Sequence, residues 1–523
     1  MKAISASSMR LLERRTIEES GFPSERLMRM AGALAASAVM KFIAELYDRN
    51  DGCDIKNLII LAGKGNNAGD AFFLARMLSS TSYNIFLYCT NPESDLTEDA
   101  ATMFREIPEE IRSQVRYTLT NGDLDLPNSL IIDGLLGTGF RAPLREPYKE
   151  WIFLANNSGH PIISLDLPSG MEADTGKSDP FSIKADLTIT FSNPKVGMLT
   201  KEGINRCGRI KVADIGIPPR YMEEIEEFIP VTLPEEMAFL FPREDFDTHK
   251  TKRGHTLILG GSRLYSGAPL LAGEGALRTG AGLVSCALPE GMHIYAPIPK
   301  ALMVRHLPGK EGFFSRDSYG AMEDLVEKAD SIVIGPGMGR DPASHPFLEK
   351  VLISGKKIVV DADALYFLAE DPDLLKKASS ISTLFLTPHE GEAKRLEKAL
   401  GLDETLSREA RAVNLAKATN SLLVLKGARS VVAGPDGRYA VNLSGTNALA
   451  TAGSGDVLAG ILGAMLAGNK DADPPMLFDI LRGAVALHAL TGELLSPCGS
   501  RGIIADDLPH YIPSAMRKIT PLA

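Results

Sequence analysis

The hexapeptide TAGSGD, residues 451–456, places an aspartate directly behind a glycine-serine-glycine turn and ahead of an apolar run, VLAGILGAML. Backbone N–H groups at a helix start attract phosphate, and a carboxylate beside them can take a proton from a hydroxyl. The stretch has no G-x-x-x-x-G-K-[ST] lysine, so it is not a P-loop. Taken alone it is equally an N-capping turn. Other stretches offer matching chemistry. Lys426, Gly427, Ala428, Arg429 and Ser430 follow the apolar run SLLVL and bring two cations for phosphates. GTNALATAG (445–453) adds backbone donors, and GPGMG (335–339) lets a ligand lie against the main chain. Together they indicate nucleotide phosphate chemistry with Asp456 as the base.

A second set of loops lies in the N-terminal half. GKGNNAGDA (63–71) leaves an apolar run and opens a helix-like one. Asn66, Asn67 and Asp70 put neutral and charged oxygens there, where a hard cation could sit. Asp133 ends the run SLIID ahead of GLLGTGFRAP, and Asp166 ends PIISLD ahead of Leu167-Pro168-Ser169-Gly170. For each aspartate the bland reading is an Asx-turn or a helix cap.

Such residues act together only if a scaffold brings them to one place. Short apolar runs ending in glycine- or aspartate-rich loops (57–65, 84–89, 129–139, 161–170, 186–192) alternate with helix-like segments such as DAFFLARMLSS (70–80). This pattern predicts a parallel sheet covered on both faces. A helical preface is expected over about residues 5–47. The prolines and acidic cluster of 213–237 predict a boundary near 220–245, hence domains 1–225 and 235–523. The second pattern repeats the first, with runs at 255–261, 282–288, 331–337, 357–365, 383–392 and 421–427. Ligands of open parallel sheets bind beyond the carboxyl ends of the strands, and nearly every glycine-rich stretch here lies at such an end.

The 523 residues exceed what one core holds. No uncharged apolar run of 18 residues occurs and the N-terminus lacks an apolar h-region, so neither a membrane span nor a secretory signal is predicted. Five scattered cysteines form no C-x-x-C pair, which fits a reducing cytoplasm. The net charge of −10 gives no extended nucleic-acid surface. An anionic ligand must be held by local N–H groups and a few cations.

GKGNNAGD, the D-x-x-x-GTG segment at 133–139 and DLPSG at 166–170 resemble the N-terminal half of the bifunctional NAD(P)H-hydrate repair enzymes. That half is a Rossmann-like NAD(P)HX epimerase, and the resemblance spans about residues 1–220. It implies a potassium ion held by Asn67, Asp133 and Ser169. It also implies a hydrate site of Asn66, Asn67, Ala68, Gly69, Asp70, Gly137, Thr138, Gly139, Phe140, Arg141, Ala142, Pro143 and Asp166, with Asp166 as acid/base. Ala68 and Ala71 stand where the family usually has glycine. YSGAPLLAGEGALRTGAGLV (265–284), GPGMG, TPHEGE (387–392), KGARS and TAGSGD resemble the ribokinase-like, ADP-dependent dehydratase half, over about 235–523. The resemblance implies hydrate contacts at Gly339, His389 and Asp456. It implies ADP contacts at Lys426–Ser430 and at Thr446, Asn447, Ala448, Leu449, Ala450, Thr451, Ala452, Gly453, Ser454 and Gly455. His389 on its own reads as a capping or core histidine. The family commonly has glycine where Ala452 stands.

The implied activity is nicotinamide nucleotide repair. NADHX and NADPHX are epimerised between their 6R and 6S forms. The S form is dehydrated to NAD(P)H, with ADP giving AMP and phosphate and Mg²⁺ assisting. A cytoplasmic homo-oligomer without nucleic-acid or membrane partners is expected. The alternative is a ribokinase-like small-molecule kinase fused to a Rossmann-like nucleotide-binding domain. A non-catalytic binder would need neither Asp166 nor Asp456.

Overall fold

The computed structural model describes residues 1–47, 54–294, 297–496 and 501–520. The chain divides into two compact units, Met1–Pro230 and Val231–Ala523.

The first unit is built on a six-stranded parallel sheet: β1 Asn57–Ala62, β2 Asn84–Cys89, β3 Ser129–Gly134, β4 Ile162–Leu165, β5 Leu187–Phe191 and β6 Arg209–Ala213. Their spatial order is β2-β1-β3-β4-β5-β6. Alternate residues of a strand point to opposite faces. Leu58, Ile60 and Ala62 join one core, with helices Ser24–Tyr47 and Asn66–Leu78. Ile59 and Leu61 join another, with helix Tyr148–Asn157. Burial on both faces explains the continuous apolar runs, and the result is the expected three-layer α/β/α arrangement. The chain moves from β1 to β2 on one side and to β3 on the other. The switch point therefore lies between β1 and β3; Asn67 opens the helix that follows β1, and Gly137 lies in the loop after β3.

Strand β6, RIKVA, is absent from the apolar pattern because an edge strand tolerates Arg209 and Lys211. The helical preface is two helices, Ala6–Ser20 and Ser24–Tyr47. By length and composition the second could cross a membrane. Here its stripe of buried residues, Leu27 to Leu46, packs into the first core. Ala68 and Ala71 lie inside helix Asn66–Leu78 at ordinary helical backbone angles, so alanine is accommodated.

The second unit holds β7 His255–Leu259, β8 Leu283–Pro289, β9 Met303–Leu307, β10 Ser331–Ile334, β11 Lys357–Val360, β12 Thr383–Leu386, β13 Leu422–Leu425, β14 Val431–Ala433 and β15 Tyr439–Asn442. The order is β15-β14-β13-β12-β11-β10-β7-β8-β9. Pairing is parallel from β9 across to β13, then antiparallel through β14 and β15. The antiparallel extension and β9 depart from the sequence pattern, since these strands are short or polar. Helices Ala268–Thr279, Ser454–Gly468, Pro474–Leu495 and Leu508–Ile519 cover one face. Cys89, Cys207 and Cys286 are buried and outside any disulfide; Cys53 and Cys498 lie outside the described residues.

Candidate active sites

In the first unit, β3 delivers Asp133 fully buried at its end. Its Oδ1 accepts from the Leu135 amide at 3.2 Å and the Ser169 hydroxyl at 2.6 Å. Its Oδ2 accepts from the Ser164 hydroxyl at 2.8 Å and the Ser169 amide at 2.9 Å. Burial still pushes its carboxyl above the usual range, against those four bonds. The Ser169 hydroxyl accepts from the Leu136 amide at 2.9 Å, and the Asn67 side-chain amide donates to the Leu136 carbonyl at 3.0 Å. Asn67, Asp133 and Ser169 are thus linked in one set of contacts. The Asn67 Oδ1 is buried without a hydrogen-bond partner. Leaving such an oxygen dry costs about 1–3 kcal/mol.

Beyond them lies a cluster of carboxyl groups around one ammonium. Asp166 is not the last strand residue, as the run PIISLD suggested, but the first of the loop, with a left-handed backbone at φ 58°. Its carboxylate is ion-paired with Lys195. Asp70, on the second turn of helix Asn66–Leu78, is buried, and its carboxyl is pushed well above the usual range. The cause is burial first, then the charges of Asp166 and Glu13. Glu13, on helix Ala6–Ser20, is pushed up to about 7 by burial and by Asp166, with Lys195 and Arg10 opposing. The loop Gly137–Pro143 is anchored where the Ala142 amide meets Glu172 at 3.3 Å, while Arg141 is exposed. Asn66 is exposed beside Thr97.

In the second unit, helix Ser454–Gly468 starts at Gly453, whose backbone is left-handed at φ 93°. A Cβ there would meet Leu271 at 2.6 Å, so the turn needs glycine for both angle and space. The N–H groups of a helix's first turn have no partners within the helix. Asp456 occupies that turn. Its carboxyl is pushed up to about 8 by burial and by Asp361, with Lys426 opposing and Asp363 and Glu392 adding.

Lys426, just beyond β13, donates to Asp361 at 2.6 Å, and Asp361 lies just beyond β11. Burial works against the Lys426 charge, but Asp361, Glu392 and Asp456 outweigh it and hold the ammonium above its ordinary range. A Cβ on Gly455 would lie 3.2 Å from the Lys426 ammonium, which puts the TAGSGD turn against the pair. Arg408 braces the KGARS loop through the Leu425 and Lys426 carbonyls at 3.2 and 3.1 Å, and its guanidinium lies against Gly427, where a Cβ would push it aside. Arg429 is buried, with a left-handed backbone. Of the loop's two cations, Lys426 is paired with Asp361 and Arg429 is buried. The Gly445 amide donates to Glu493 at 2.6 Å, and Thr446 caps the turn Asn447–Leu449.

Gly339 donates to Asp363 at 2.9 Å, close to the Asp456 neighbourhood. His389 caps helix Glu390–Leu400, its Nδ1 accepting from the Gly391 and Glu392 amides at 2.9 and 3.4 Å. Its Nε2 lies 3.4 Å from Glu392, whose carboxyl burial pushes up. The capping role seen in the bare sequence is therefore real, and it sets the ring beside the charged cluster.

Several residues of these sites escaped the sequence reading. Asp361 and Lys195 sit in loops at the carboxyl ends of β11 and β5, where the strand-end rule points. His488 hydrogen-bonds the Ser454 backbone and is pushed down to about 4 by burial, so it supports the turn as a neutral ring. No local pattern marks His488 or Glu13.

The same division appears in comparison with known proteins. The family model described as NAD(P)H-hydrate dehydratase matches residues 256–514, and that of the YjeF-related protein N-terminus matches 24–197. The bifunctional NAD(P)H-hydrate repair enzyme of Salinibacter ruber is 34% identical over 98% of this chain and 95% of its own. The chain belongs to this family. The corresponding enzyme of Moorella thermoacetica is 33% identical over 99% of this chain and 97% of its own. Among solved structures, the ADP/ATP-dependent NAD(P)H-hydrate dehydratase of Bacillus subtilis co-crystallised with ATP/Mg²⁺ is 27% identical, with a TM-score of 0.46, covering 56% of this chain and 99% of that one. Family membership makes this chain an enzyme with an epimerase-type half and a dehydratase-type half.

Lys426→Ala is expected to weaken ADP binding, since a charged hydrogen bond contributes about 1.5–3 kcal/mol. It also removes the cation that opposes the raised Asp456 carboxyl, so the pH dependence of dehydration moves to higher pH. Calorimetric ADP titration and a pH–rate profile check both; equal ADP affinity removes Lys426 from the phosphate site.

Proposed function

We propose that the first unit interconverts the 6R and 6S hydrates of NADH and NADPH, and that the second dehydrates the S form at the expense of ADP. The observation that carries the second half is Asp456 in the first turn of helix Ser454–Gly468, facing the Lys426–Asp361 pair. Hydroxide is a poor leaving group. Asp456 takes the proton of the C6 hydroxyl as its oxygen attacks the β-phosphate of ADP, and AMP leaves. The N–H groups at 453–456 receive the transferring charge. The ring nitrogen lone pair then expels phosphate from C6, and loss of a C5 proton restores the reduced nicotinamide.

In the first unit Asp70 and Asp166 belong to one cluster. Asp70, whose carboxyl burial pushes well above its usual range, can give a proton to the departing hydroxyl as the ring nitrogen pushes. Asp166, paired with Lys195, can take a proton from water returning on either face. Only one epimer suits the dehydratase, so the fused pair clears both.

The orphan Asn67 Oδ1 beside buried Asp133 and Ser169 fits a monovalent cation, and potassium would be held by these three. Bound there, the ion would supply charge that steadies the loops around the hydrate. Among the described residues no group of three or more His, Cys, Asp or Glu could hold a metal, so Mg²⁺ fits as an ion carried on the ADP phosphates. It would neutralise developing phosphate charge.

The test follows 340-nm absorbance with chemically prepared NADHX, supplied with ADP and then ATP. Full conversion of an R/S mixture with ADP supports both activities; phosphorylated vitamin precursors instead would favour the kinase alternative. Exchange of K⁺ for a large organic cation is expected to slow epimerisation and leave dehydration of pure S hydrate unchanged.

A further inference from the structure

Lys195 is 1% exposed, and a buried ammonium has three protons to place. One goes to Asp166 Oδ1, one to the Thr190 hydroxyl at 2.9 Å and one to the Phe191 carbonyl at 3.3 Å. None remains for a substrate, so Lys195 is not itself an acid in the reaction. Among the described residues, the bonds that the Asp166 carboxylate receives all fall on Oδ1. Oδ2 receives none of them. The Asp166 backbone is held in the left-handed region, so its direction is fixed from both ends of the residue.

Lys195 is fixed in turn. The Ile4 amide donates to the Pro194 carbonyl at 2.9 Å, and the Val196 amide to the Ile4 carbonyl at 3.1 Å. The Asn193 side chain donates to the Lys2 carbonyl at 2.7 Å. The N-terminal residues 2–4 therefore clamp the loop 193–196, and helix Ala6–Ser20 continues from them to bring Glu13 to the same cluster.

We infer that Lys195 is the positioning residue of the epimerase site, aiming Asp166 through an ion pair that the N-terminal strap locks in place. This rests on the epimerase reading above. The ordering matters because a reacting group displaced by about 1 Å can lose on the order of 10²-fold in rate.

The test uses the full chain and measures kcat and KM for R-to-S conversion, with S-hydrate dehydration in the same preparation as control. Lys195→Met is expected to lower kcat by about 10²-fold with KM little changed, because the lost interaction concerns the transition state. Lys195→Arg recovers part of the loss by keeping the charge. The double variant Lys195→Met/Asp166→Asn is no slower than Asp166→Asn alone, since Lys195 acts through Asp166. If melting by circular dichroism shows Lys195→Met unfolded, Lys195→Arg and the double variant, which leaves no lone buried carboxylate, decide. Wild-type kcat in Lys195→Met, or losses that multiply in the double variant, overturn the proposal. Absence of epimerisation by wild type instead overturns the epimerase reading itself.

Discussion

Asp456→Asn is expected to lower dehydration of the S hydrate by ~10²–10⁴-fold, the usual cost of removing a general base. Asparagine keeps the size of the side chain and the turn but cannot take a proton. ADP binding should persist, because the N–H groups of the turn and Lys426 remain. The sign of the accompanying pH effects follows from the raised carboxyl, at about 8 in the free site. Below that pH the base is mostly protonated, so kcat/KM of the wild type should climb with pH and level above about 8. The stability effect runs the other way. A carboxyl raised above its unfolded value contributes stability at low pH and loses it as pH rises through about 8. The wild-type second unit should therefore soften progressively from about pH 4 to pH 8 and level off above it, and Asp456→Asn should lack this component. Wild-type turnover in the variant, or a kcat/KM profile flat from pH 6 to 9, would defeat the base assignment.

The parts of both sites visible in the sequence are those encoded in contiguous strand–loop–helix stretches. Asp133, Asp166, Ser169 and Lys426 lie at or just after the ends of apolar runs, and Asp456 opens one behind its glycine turn; a parallel sheet must gather such strand ends at one edge. What stayed hidden is pairing between distant stretches. Asp361 and Lys426 are 65 residues apart, and nothing local says that their charges meet. Glu13 lies on an amphipathic helix where glutamate normally faces water, and only the fold turns it inward. The strands Arg209–Ala213, Met303–Leu307 and Tyr439–Asn442 were missed for a related reason. Edge position lets Arg209–Ala213 and Met303–Leu307 be polar, while Tyr439–Asn442 is paired on both sides and is simply short, at four residues. His389 shows two roles in one residue: capping consumes Nδ1, and the ring is left at the mouth of the charged cluster.

Asp133→Ala is expected to abolish most epimerase activity while leaving dehydration unchanged. The side chain is the shared acceptor for four donors from two strands' ends and the 166–170 loop. The Ser164 and Ser169 hydroxyls can rotate toward other acceptors. The Leu135 and Ser169 amides cannot, and each unsatisfied buried donor costs about 1–3 kcal/mol. Removing the buried carboxyl recovers part of its own desolvation penalty, visible in its raised carboxyl. A net loss of roughly 3 kcal/mol in the first unit is reasonable, or about 6–12 °C in its melting temperature. The second unit folds around its own core of residues from 237 onward and should melt as before. Asp133→Asn separates bracing from charge. It keeps one oxygen for two of the donors but removes the negative charge that a cation beside Asn67 Oδ1 requires. Epimerisation in Asp133→Asn should thus lose its response to K⁺ while the first unit stays folded. A K⁺ response equal to wild type in Asp133→Asn would place the ion elsewhere, and an unchanged melting temperature in Asp133→Ala would deny the brace.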